Sequence, residues 1–523
     1  MVGLGGWLPG WQPWPYLLLA APAWLASRPW WQQKAGPKAW SRLANSARRL
    51  PAWLYCLGAL ALTATVCIWL QGNEPHMAHE EAVYANKARS WADGTPDAGW
   101  GLYRPFGLPF LGRIALAVHH DVGALRGVAV LLTLATLAVT HLITAHWTTP
   151  HRAAVTVLLV VSGLGFLRRA PEFLNDIGAT GLLLLVVFLL VRAQEKAKCS
   201  ALLLLPFAIL AAFYFRYGVL GSLIAIALAS LGVYGLRAWR KHWRQLLAAT
   251  GILAAGLLPH FVYAIQETGS PLGIIFSATG QANRDYIGEG LVYYLAIFPY
   301  RLAGDLGAIV MTAGLFVAGA SARRLLQARR GGNSLPRPRD RRHVFLGLSS
   351  VLIFATLGLT AHGEARFVYL PVILLTVLGV EGIVEIAGRW ASRALLVVAA
   401  LAGITIAGTA QVVAKGAMPG PEDLSRSTVP VAREMTSSTS CLLVTGYEPE
   451  MGWYSGCDAV TYSQYQDVKP APGVKTSFIL FERGRYQPTS DALRRLIGHR
   501  ATSVRHIPTN GAVGSATVIT VQP

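Results

Sequence analysis

Long apolar stretches alternate with short polar ones along most of the 523-residue chain. Each stretch approaches the roughly 20 residues that a helix needs to cross a bilayer. The segment before them, 7–25, is aromatic and interrupted by prolines, which favours an interfacial segment over a cleaved signal peptide. The pattern predicts about eleven membrane-spanning helices, near residues 53–70, 122–146, 153–167, 177–193, 200–215, 219–236, 246–264, 305–321, 344–361, 368–387 and 394–413.

The C-terminal segment has a different pattern, with short runs of β-branched and aromatic residues. Residues 441–445, 476–481 and 516–521 are typical of strands, and residues 491–497 are typical of a helix capped by Ser490. The predicted fold class is an all-α polytopic membrane protein, with about eleven transmembrane helices and a small extracytoplasmic α/β domain at the C-terminus. The predicted N-terminal segment, transmembrane domain with its outward loop 72–121, and α/β domain occupy residues 1–52, 53–413 and 414–523.

Composition and charge agree with a membrane protein. Only 14% of the residues are charged, whereas about 25% is usual for a soluble domain. The formal net charge is +20, and the basic residues concentrate in alternate loops such as 237–244 and 323–342. The positive-inside rule places these loops in the cytoplasm and places loop 72–121 and the C-terminal tail outside. Membrane topology therefore explains the positive net charge, and no nucleic-acid partner is needed to account for it. The Ala- and Arg-rich composition favours a bacterial plasma membrane.

Two of the five cysteines, Cys441 and Cys457, lie in the predicted outward tail. An oxidising compartment favours a disulfide between them. The alternative is a pair of free thiols, one of them buried in the small core.

The predicted outward loop contains an acidic pair, Glu80 and Glu81, in a segment that reads as a helix over 79–91. Glu80 would share one face with Tyr84, and Glu81 would lie about 100° round the axis. Such a helix could aim a carboxylate at a cavity. The alternative is a solvated acidic helix start that suits the helix dipole.

Two further motifs stand beside predicted spans. Tyr103 to Leu111 contains two prolines and a glycine, which favour a non-helical bend. His362 to Pro371 combines His, Glu and Arg in a very short outward loop, where ionisable residues are costly and often functional. A His with an Arg four residues later could bind a phosphate; the alternative is an arginine that reaches lipid headgroups with Glu364 as its partner.

Other classes of site have no matching pattern. The sequence has no glycine-rich phosphate loop and no His/Cys/Asp group with zinc spacing. Arg168, Arg169 and Arg216 lie at predicted outward helix ends, where cations are unusual. They indicate an anionic ligand or lipid headgroups.

Together the motifs resemble those of the GT-C superfamily of membrane glycosyltransferases, which use sugar donors on polyprenyl phosphate. Members often carry Asp-Glu-x-x-Tyr in the first outward loop, and Glu80 to Tyr84 matches with Glu for Asp. Tyr103 to Pro109 matches a Tyr-x-Pro-x-Gly-x-Pro motif. His362 to Phe367 is similar to the His-Lys-Glu-x-Arg-Phe motif of the mannosyltransferase branch, with Gly for Lys. The resemblance covers roughly residues 50–415.

The resemblance implies an enzyme that moves a sugar from a polyprenyl-phosphate donor to an acceptor hydroxyl at the outer membrane face. The acceptor could be a glycan, a lipid or a protein, and the need for a divalent metal stays open. The family-level expectation for the donor sugar is mannose or arabinose, and the product would belong to the cell envelope. The implied catalytic residues are Glu80, as the base, and Glu81. The implied donor-phosphate residues are Arg366, His362, Arg216 and Arg169, and the implied substrate contacts are Tyr84, Tyr103, Arg104 and Glu364.

Two other functions remain open at this point. A secondary transporter would favour internal repeats and broken helices near the membrane midplane, and the sequence shows no repeat. A non-catalytic lipid or glycan assembly subunit would keep the fold and tolerate replacement of Glu80 and Arg366.

Overall fold

The structure is a computed structural model that describes residues 51–522, apart from residues 78, 94–103, 196–199, 281–284, 298–299, 332–336, 415–420, 437–439, 469 and 471–472. The predicted N-terminal segment up to residue 50 lies outside the described residues. The α-helices, in chain order, are α1 (Ala52–Asn73), α2 (His79–Asp93), α3 (Gly107–Val118), α4 (Val122–Trp147), α5 (Pro150–Val161), α6 (Leu164–Arg169), α7 (Asp176–Glu195), α8 (Ala201–Phe215), α9 (Val219–Tyr234), α10 (Leu236–Arg240), α11 (Trp243–Thr268), α12 (Gly273–Gly280), α13 (Glu289–Ile297), α14 (Tyr300–Gly331), α15 (Pro338–Thr360), α16 (Tyr369–Ala387), α17 (Ala391–Ala414), α18 (Pro421–Glu434), α19 (Glu448–Ser455) and α20 (Ser490–Ile497). Short 3-10 helices occupy Ala365–Val368, Gly388–Trp390 and Gln464–Gln466.

The polytopic membrane class is confirmed. Seven helical stretches within the described ranges are long and apolar enough to cross a membrane. The number of actual crossings stays a prediction, because four further apolar helices are shorter. The seven stretches are Trp53–Asn73, Val122–Trp147, Asp176–Glu195, Trp243–Thr268, Leu306–Ala328, Pro338–Thr360 and Ala365–Ala414.

The chain forms two compact units. Among the described residues, one contains 51–69, 130–171 and 175–412, and the other contains 70–129, 172–174 and 413–522. The second unit therefore combines the predicted outward loop with the C-terminal tail.

Helix α16 lies at the centre of the first unit. Every residue from Tyr369 to Ile383 is buried, as expected for a helix that is apolar all round. It packs closely on α14 through two glycines: a Cβ at Gly314 would overlap the Leu375 carbonyl, and a Cβ at Gly379 would overlap the Val310 carbonyl. Small residues at such positions let two helix backbones approach each other in a membrane, where packing replaces the hydrophobic effect.

One buried carboxylate in α16, Glu381, is neutralised by arginines from other helices. Arg152 contacts it at 2.7 Å and Arg339 at 2.5 Å. A buried carboxylate requires such partners because its desolvation costs several kcal/mol. These contacts fix α16 against α5 and α15.

The second unit contains a five-stranded sheet formed by β1 (Cys441–Val444), β2 (Asp458–Val460), β3 (Lys475–Phe481), β4 (Thr502–Ile507) and β5 (Ala516–Val521). The strand order is β2-β1-β3-β5-β4. Strand β1 is parallel to β2 and β3, and β5 is antiparallel to β3 and β4. The three predicted strands and the helix near 491–497 are confirmed, whereas β2 and β4 were not predicted.

Both faces of the sheet are covered, because alternate residues of a strand point to opposite sides. Leu443 and Ile479 pack with Val431 of α18 and Met451 of α19. On the other face, Leu442 and Phe478 pack with the apolar side of α20, through Leu493, Leu496 and Ile497. The sheet is therefore the middle layer of an α/β/α arrangement.

Three local predictions need correction. The span predicted over 153–167 is broken, because α5 ends at Val161 and α6 begins at Leu164. The bend predicted within 103–111, before the next helix, is shorter than expected, because the chain is already helical from Gly107. Pro109 is tolerated in the first turn, where a missing N–H leaves no bond unmade. Helix α20 is capped by Thr489 rather than Ser490: the Thr489 side chain accepts from the Ala492 N–H at 3.4 Å.

Candidate functional site

Helix α2, in the second unit, carries the acidic pair in its first turn. Negative side chains there interact favourably with the positive end of the helix dipole. The predicted helical reading of this segment is confirmed. Because successive residues are rotated by about 100°, Glu80 and Glu81 leave the helix in different directions. Their partners differ accordingly.

Glu81 is fully buried and forms a forked ion pair with Arg126 of α4. The guanidinium donates from Nε to Oε1 at 3.1 Å and from Nη2 to Oε2 at 2.9 Å. The Phe173 N–H donates to Oε1 at 2.8 Å. Bidentate pairing of this kind is among the strongest polar contacts in proteins. Glu81 therefore fixes α2 to two other segments of the second unit.

Sequence reasoning missed Arg126 as the partner of this acid. It is the only Asp, Glu, Lys or Arg in α4, Val122–Trp147. A single cation in an otherwise uncharged apolar helix is costly and indicates a buried partner. This signal could have been read from the sequence, although it would not have identified the partner.

Glu80 has a more open environment. Its Oε2 lies 3.2 Å from Arg104 Nη1, and the two side chains are 28% and 19% exposed. The Arg104 guanidinium lies 5.2 Å from the centre of the Tyr84 ring. The backbone carbonyl of Arg104 accepts from Lys87 Nζ at 2.9 Å. The structure thus brings together Glu80, Tyr84 and Arg104. Tyr103 lies outside the described residues.

The first unit contains a separate group of charged residues, which we call the arginine cluster: Arg169, Arg216 and Arg366 with Asp176 and Glu364. Arg216 Nη1 lies 2.8 Å from Asp176 Oδ1, and Arg366 Nη1 lies 4.0 Å from Asp176 Oδ2. Arg366 Nε donates to Glu364 Oε2 at 2.6 Å, and Arg169 Nη2 lies 3.8 Å from Glu364 Oε1. The three sequence-predicted arginines of this group are therefore each close to Asp176 or Glu364.

Helix ends position these side chains. Asp176 begins α7, Arg216 follows the last residue of α8 in an extended conformation, and Arg169 ends α6. The Arg216 guanidinium lies 4.6 Å from the centre of the Phe367 ring, which follows Arg366. Three guanidinium groups face two carboxylates, so the cluster carries an excess of one positive charge. A small cavity lined by Asp176, Arg216 and Phe367 adjoins it.

The carboxyl group of Glu364 is strongly biased towards its charged form. Burial alone would raise its pKa, but the neighbouring His362 and the charges of Arg366 and Arg169 lower the pKa to about 2. His362 Nε2 lies 3.8 Å from Glu364 Oε2. His362 is thus part of the same site as Arg366.

Gly363 has a steric role in this loop. A Cβ at this position would overlap the ring of Tyr293, so the lysine of the similar family motif would not fit here. The next residue is tied to α13, because the Tyr294 hydroxyl donates to the Glu364 carbonyl at 3.2 Å. The departure from the family motif therefore reflects packing against α13.

Asp176 was not among the predicted site residues. Its signal in the sequence is an acid at the start of an apolar span, beside the unusual cations Arg168 and Arg169. Only the fold shows that it lies opposite Arg216 and Arg366.

As for a metal site, no group of three His, Cys, Asp or Glu side chains is placed to hold an ion in the part of the chain that the structure describes.

Solved structures of two proteins are similar to this chain. ArnT from Cupriavidus metallidurans bound to undecaprenyl phosphate has a TM-score of 0.63 and 12% identity, over 89% of this chain and 98% of that chain. Its apo state has the same TM-score, 13% identity, and coverage of 88% and 98%. The Archaeoglobus fulgidus oligosaccharyltransferase, tethered with an acceptor peptide, has a TM-score of 0.50 and 11% identity, over 88% of this chain and 74% of that chain. No protein-family model and no curated protein sequence matches the chain. At these identities the likeness establishes the fold alone.

Proposed function

We propose that this chain, which has the fold of the GT-C glycosyltransferases, moves a sugar from a polyprenyl-phosphate donor to an acceptor hydroxyl. The observation that carries the proposal is the arginine cluster, with its excess positive charge beside the short loop His362–Arg366. Charged residues among apolar helices are costly and mark substrate or ion pathways. The solved ArnT complex contains undecaprenyl phosphate, which is an anion of the class that this cluster would bind.

In the proposed reaction, the oxygen of the acceptor hydroxyl attacks the anomeric carbon of the donor sugar. The bond from that carbon to the phosphate oxygen breaks, and the polyprenyl phosphate leaves with the electron pair. Phosphate is a good leaving group, so no acid has to protonate it. Arg366, Arg216 and Arg169, with His362, stabilise the negative charge that grows on the leaving group.

A base must accept the proton of the acceptor hydroxyl, and we assign this role to Glu80. Its side chain is more exposed than that of Glu81. Both oxygens of Glu81 already accept hydrogen bonds from Arg126. Tyr84, Tyr103, Arg104 and Glu364 are the residues to which we assign contacts with the substrates.

The proposal includes a location. The basic loops would lie in the cytoplasm of a bacterial cell, and the tail from residue 414 would lie outside the plasma membrane. A reporter that is active only outside the cytoplasm, fused after Pro523, should be active. Activity of a cytoplasm-only reporter at that position would contradict this orientation.

The function is tested first in cells that lack the protein. Mass spectrometry of their lipid-linked glycans should show accumulation of the unused donor, and wild-type protein should reverse it. Glu80→Gln keeps the side-chain shape and removes the basicity, so transfer should fall by on the order of a hundredfold or more. Arg366→Ala should weaken donor use as well as the rate.

A matched control is Arg324→Ala, since Arg324 also pairs with a carboxylate, Asp340, at 2.9 Å. We assign Arg324 no part in the reaction, and its replacement should leave the glycans unchanged. If removal of the whole protein changes no lipid-linked glycan, a transporter is the better reading. If Glu80→Gln and Arg366→Ala both behave like wild type, a non-catalytic assembly subunit is favoured.

A further inference from the structure

Helix α19, in the C-terminal segment, forms a series of polar contacts with helix α2 within the second unit. Asn86 Nδ2 donates to the Pro449 carbonyl at 2.8 Å. His79 Nδ1 lies 3.1 Å from Glu450 Oε2. Two more bonds come from Arg89. The contacts begin at the first residue of α2 and extend over more than two turns.

Arg89 caps the end of α19. The last carbonyls of a helix form its negative end, and here the Gly452 carbonyl also accepts from the Gly456 N–H at 3.1 Å. Arg89 Nη2 donates to the Gly452 carbonyl at 3.1 Å, and Nη1 donates to the Trp453 carbonyl at 3.2 Å. Arg89 is 7% exposed, and its guanidinium lies 5.5 Å from the centre of the Trp453 ring. Arg89 is therefore a buried cation whose two hydrogen bonds match the negative end of α19.

Helix α19 also contacts the residues that precede α2. The Tyr454 hydroxyl accepts from the Met77 N–H at 2.6 Å, and the Tyr454 ring packs edge-on against His76 at 5.6 Å between centroids. These residues immediately precede α2. The chain therefore enters the helix at a position that α19 determines.

The side chains that contact α19 leave the face of Glu80 open. At about 100° per residue, His79 and Asn86 are almost in line, and Arg89 lies roughly 60° from Asn86. Glu80 and Tyr84 lie on another side of the helix, where Arg104 contacts them. Contacts on one side can thus set the rotation and axial position of the helix without covering Glu80.

A disulfide fixes α19 in the small domain. Cys441 begins β1, Cys457 follows the left-handed Gly456 at the end of α19, and the two are bonded. The predicted pairing is confirmed. Helix α19 lies inside the covalent loop that this bond closes, so its two ends are tied to the sheet.

We propose that α19 is the positioning element for the acidic helix, and that Arg89 and Asn86 are positioning residues for Glu80. This inference rests on the proposed transferase function. A base that is misplaced by about 1 Å can cost on the order of a hundredfold in rate. Loss of Arg89 should therefore lower kcat by on the order of tenfold to a hundredfold. The KM for the donor should change little, because Arg89 is not among the residues assigned to the donor phosphate.

The experiment compares Arg89→Ala and Arg89→Lys in the full-length protein in proteoliposomes, with the native lipid-linked donor purified from cells that lack the protein. Lysine keeps the charge but concentrates it on one ammonium group instead of a planar fork of donors, so it should restore part of kcat. Arg505→Ala is the matched control, because Arg505 is an exposed arginine of the same unit that pairs with Glu434. Hydrogen exchange of the amides in 79–93 reports how stably the helix is held, without any reaction.

The expected result is faster exchange in 79–93 and a lower kcat for Arg89→Ala, partial recovery for Arg89→Lys, and no change for the control. Reduction of the wild-type disulfide should have the same two effects. If exchange rises while kcat and KM stay at wild-type values, the positioning proposal is overturned. If Arg89→Ala does not fold, Arg89→Lys and the reduced wild type decide. Absence of transfer by the wild type would instead refute the proposed function, while the exchange measurement would still test the contact.

Discussion

Replacement of Glu81 should reveal a structural acid beside a catalytic one. Glu81→Gln keeps the size of the side chain but removes the carboxylate that pairs with Arg126, a residue that is 4% exposed. Removal of one partner of a buried ion pair costs about 3–5 kcal/mol. Arg126 also donates to the carbonyls of Glu74 and His76. These carbonyls partly replace the lost carboxylate, so we expect about 3 kcal/mol, at the lower end of that range.

Glu80→Gln is the matched comparison. The pair that Glu80 forms with Arg104 is partly exposed to solvent, and pairs of that kind are worth below about 1 kcal/mol. The free energy of unfolding, measured by denaturant titration in detergent micelles, should therefore fall for Glu81→Gln and stay close to wild type for Glu80→Gln. Transfer activity should follow the opposite order, falling by on the order of a hundredfold or more for Glu80→Gln although this variant is folded.

A double replacement separates the ion pair from the other effects of Glu81. With Arg126→Gln added to Glu81→Gln, neither partner of the ion pair remains charged. The loss in free energy of unfolding for the double variant should be smaller than the sum of the two single losses by about 2 kcal/mol. Strictly additive losses, or equal losses for Glu80→Gln and Glu81→Gln, would refute the structural role that we derive for Glu81.

Three other predictions concern the small domain and the His362–Arg366 loop. Joint replacement of Cys441 and Cys457 by serine should lower the free energy of unfolding by about 3 kcal/mol. Non-reducing peptide mapping of the wild type should recover the bridged peptide, and free thiols at both positions would contradict the disulfide. Gly363→Ala should cost about 1–3 kcal/mol through overlap with the Tyr293 ring, and Tyr293→Ala should relieve that loss in a thermal melt, whereas a neutral Gly363→Ala would argue against the steric role. Because the pKa of Glu364 falls from 4.5 to about 2 on folding, its contribution to stability should be complete above about pH 4.5 and decline as the pH falls towards 2. The stability difference between wild type and Glu364→Gln, measured from pH 7 downwards, should follow this course, and a pH-independent difference would contradict the lowered pKa.

The sequence by itself determined the membrane class, the strands β1, β3 and β5, the helix that carries Glu80, and the choice of Cys441 and Cys457 as a pair. These features follow from local rules. A bilayer demands continuous apolar stretches, strands favour β-branched and aromatic residues, and a helix places residues at fixed angles. Each rule acts within about twenty neighbouring residues, so it can be applied without knowledge of the fold.

The tertiary structure decided which acid is buried and which cations share a carboxylate. Glu81 and Arg126 are separated by 45 positions, and nothing local to either residue identifies the other. Asp176 meets Arg366 from a distant part of the chain, and Arg89 meets the carbonyls of α19, 363 and 364 positions later. Such pairs form because desolvation makes each buried charge require a partner. Which partner it finds depends on how the helices pack, and that packing is set by shape complementarity over the whole unit rather than by any single segment of sequence.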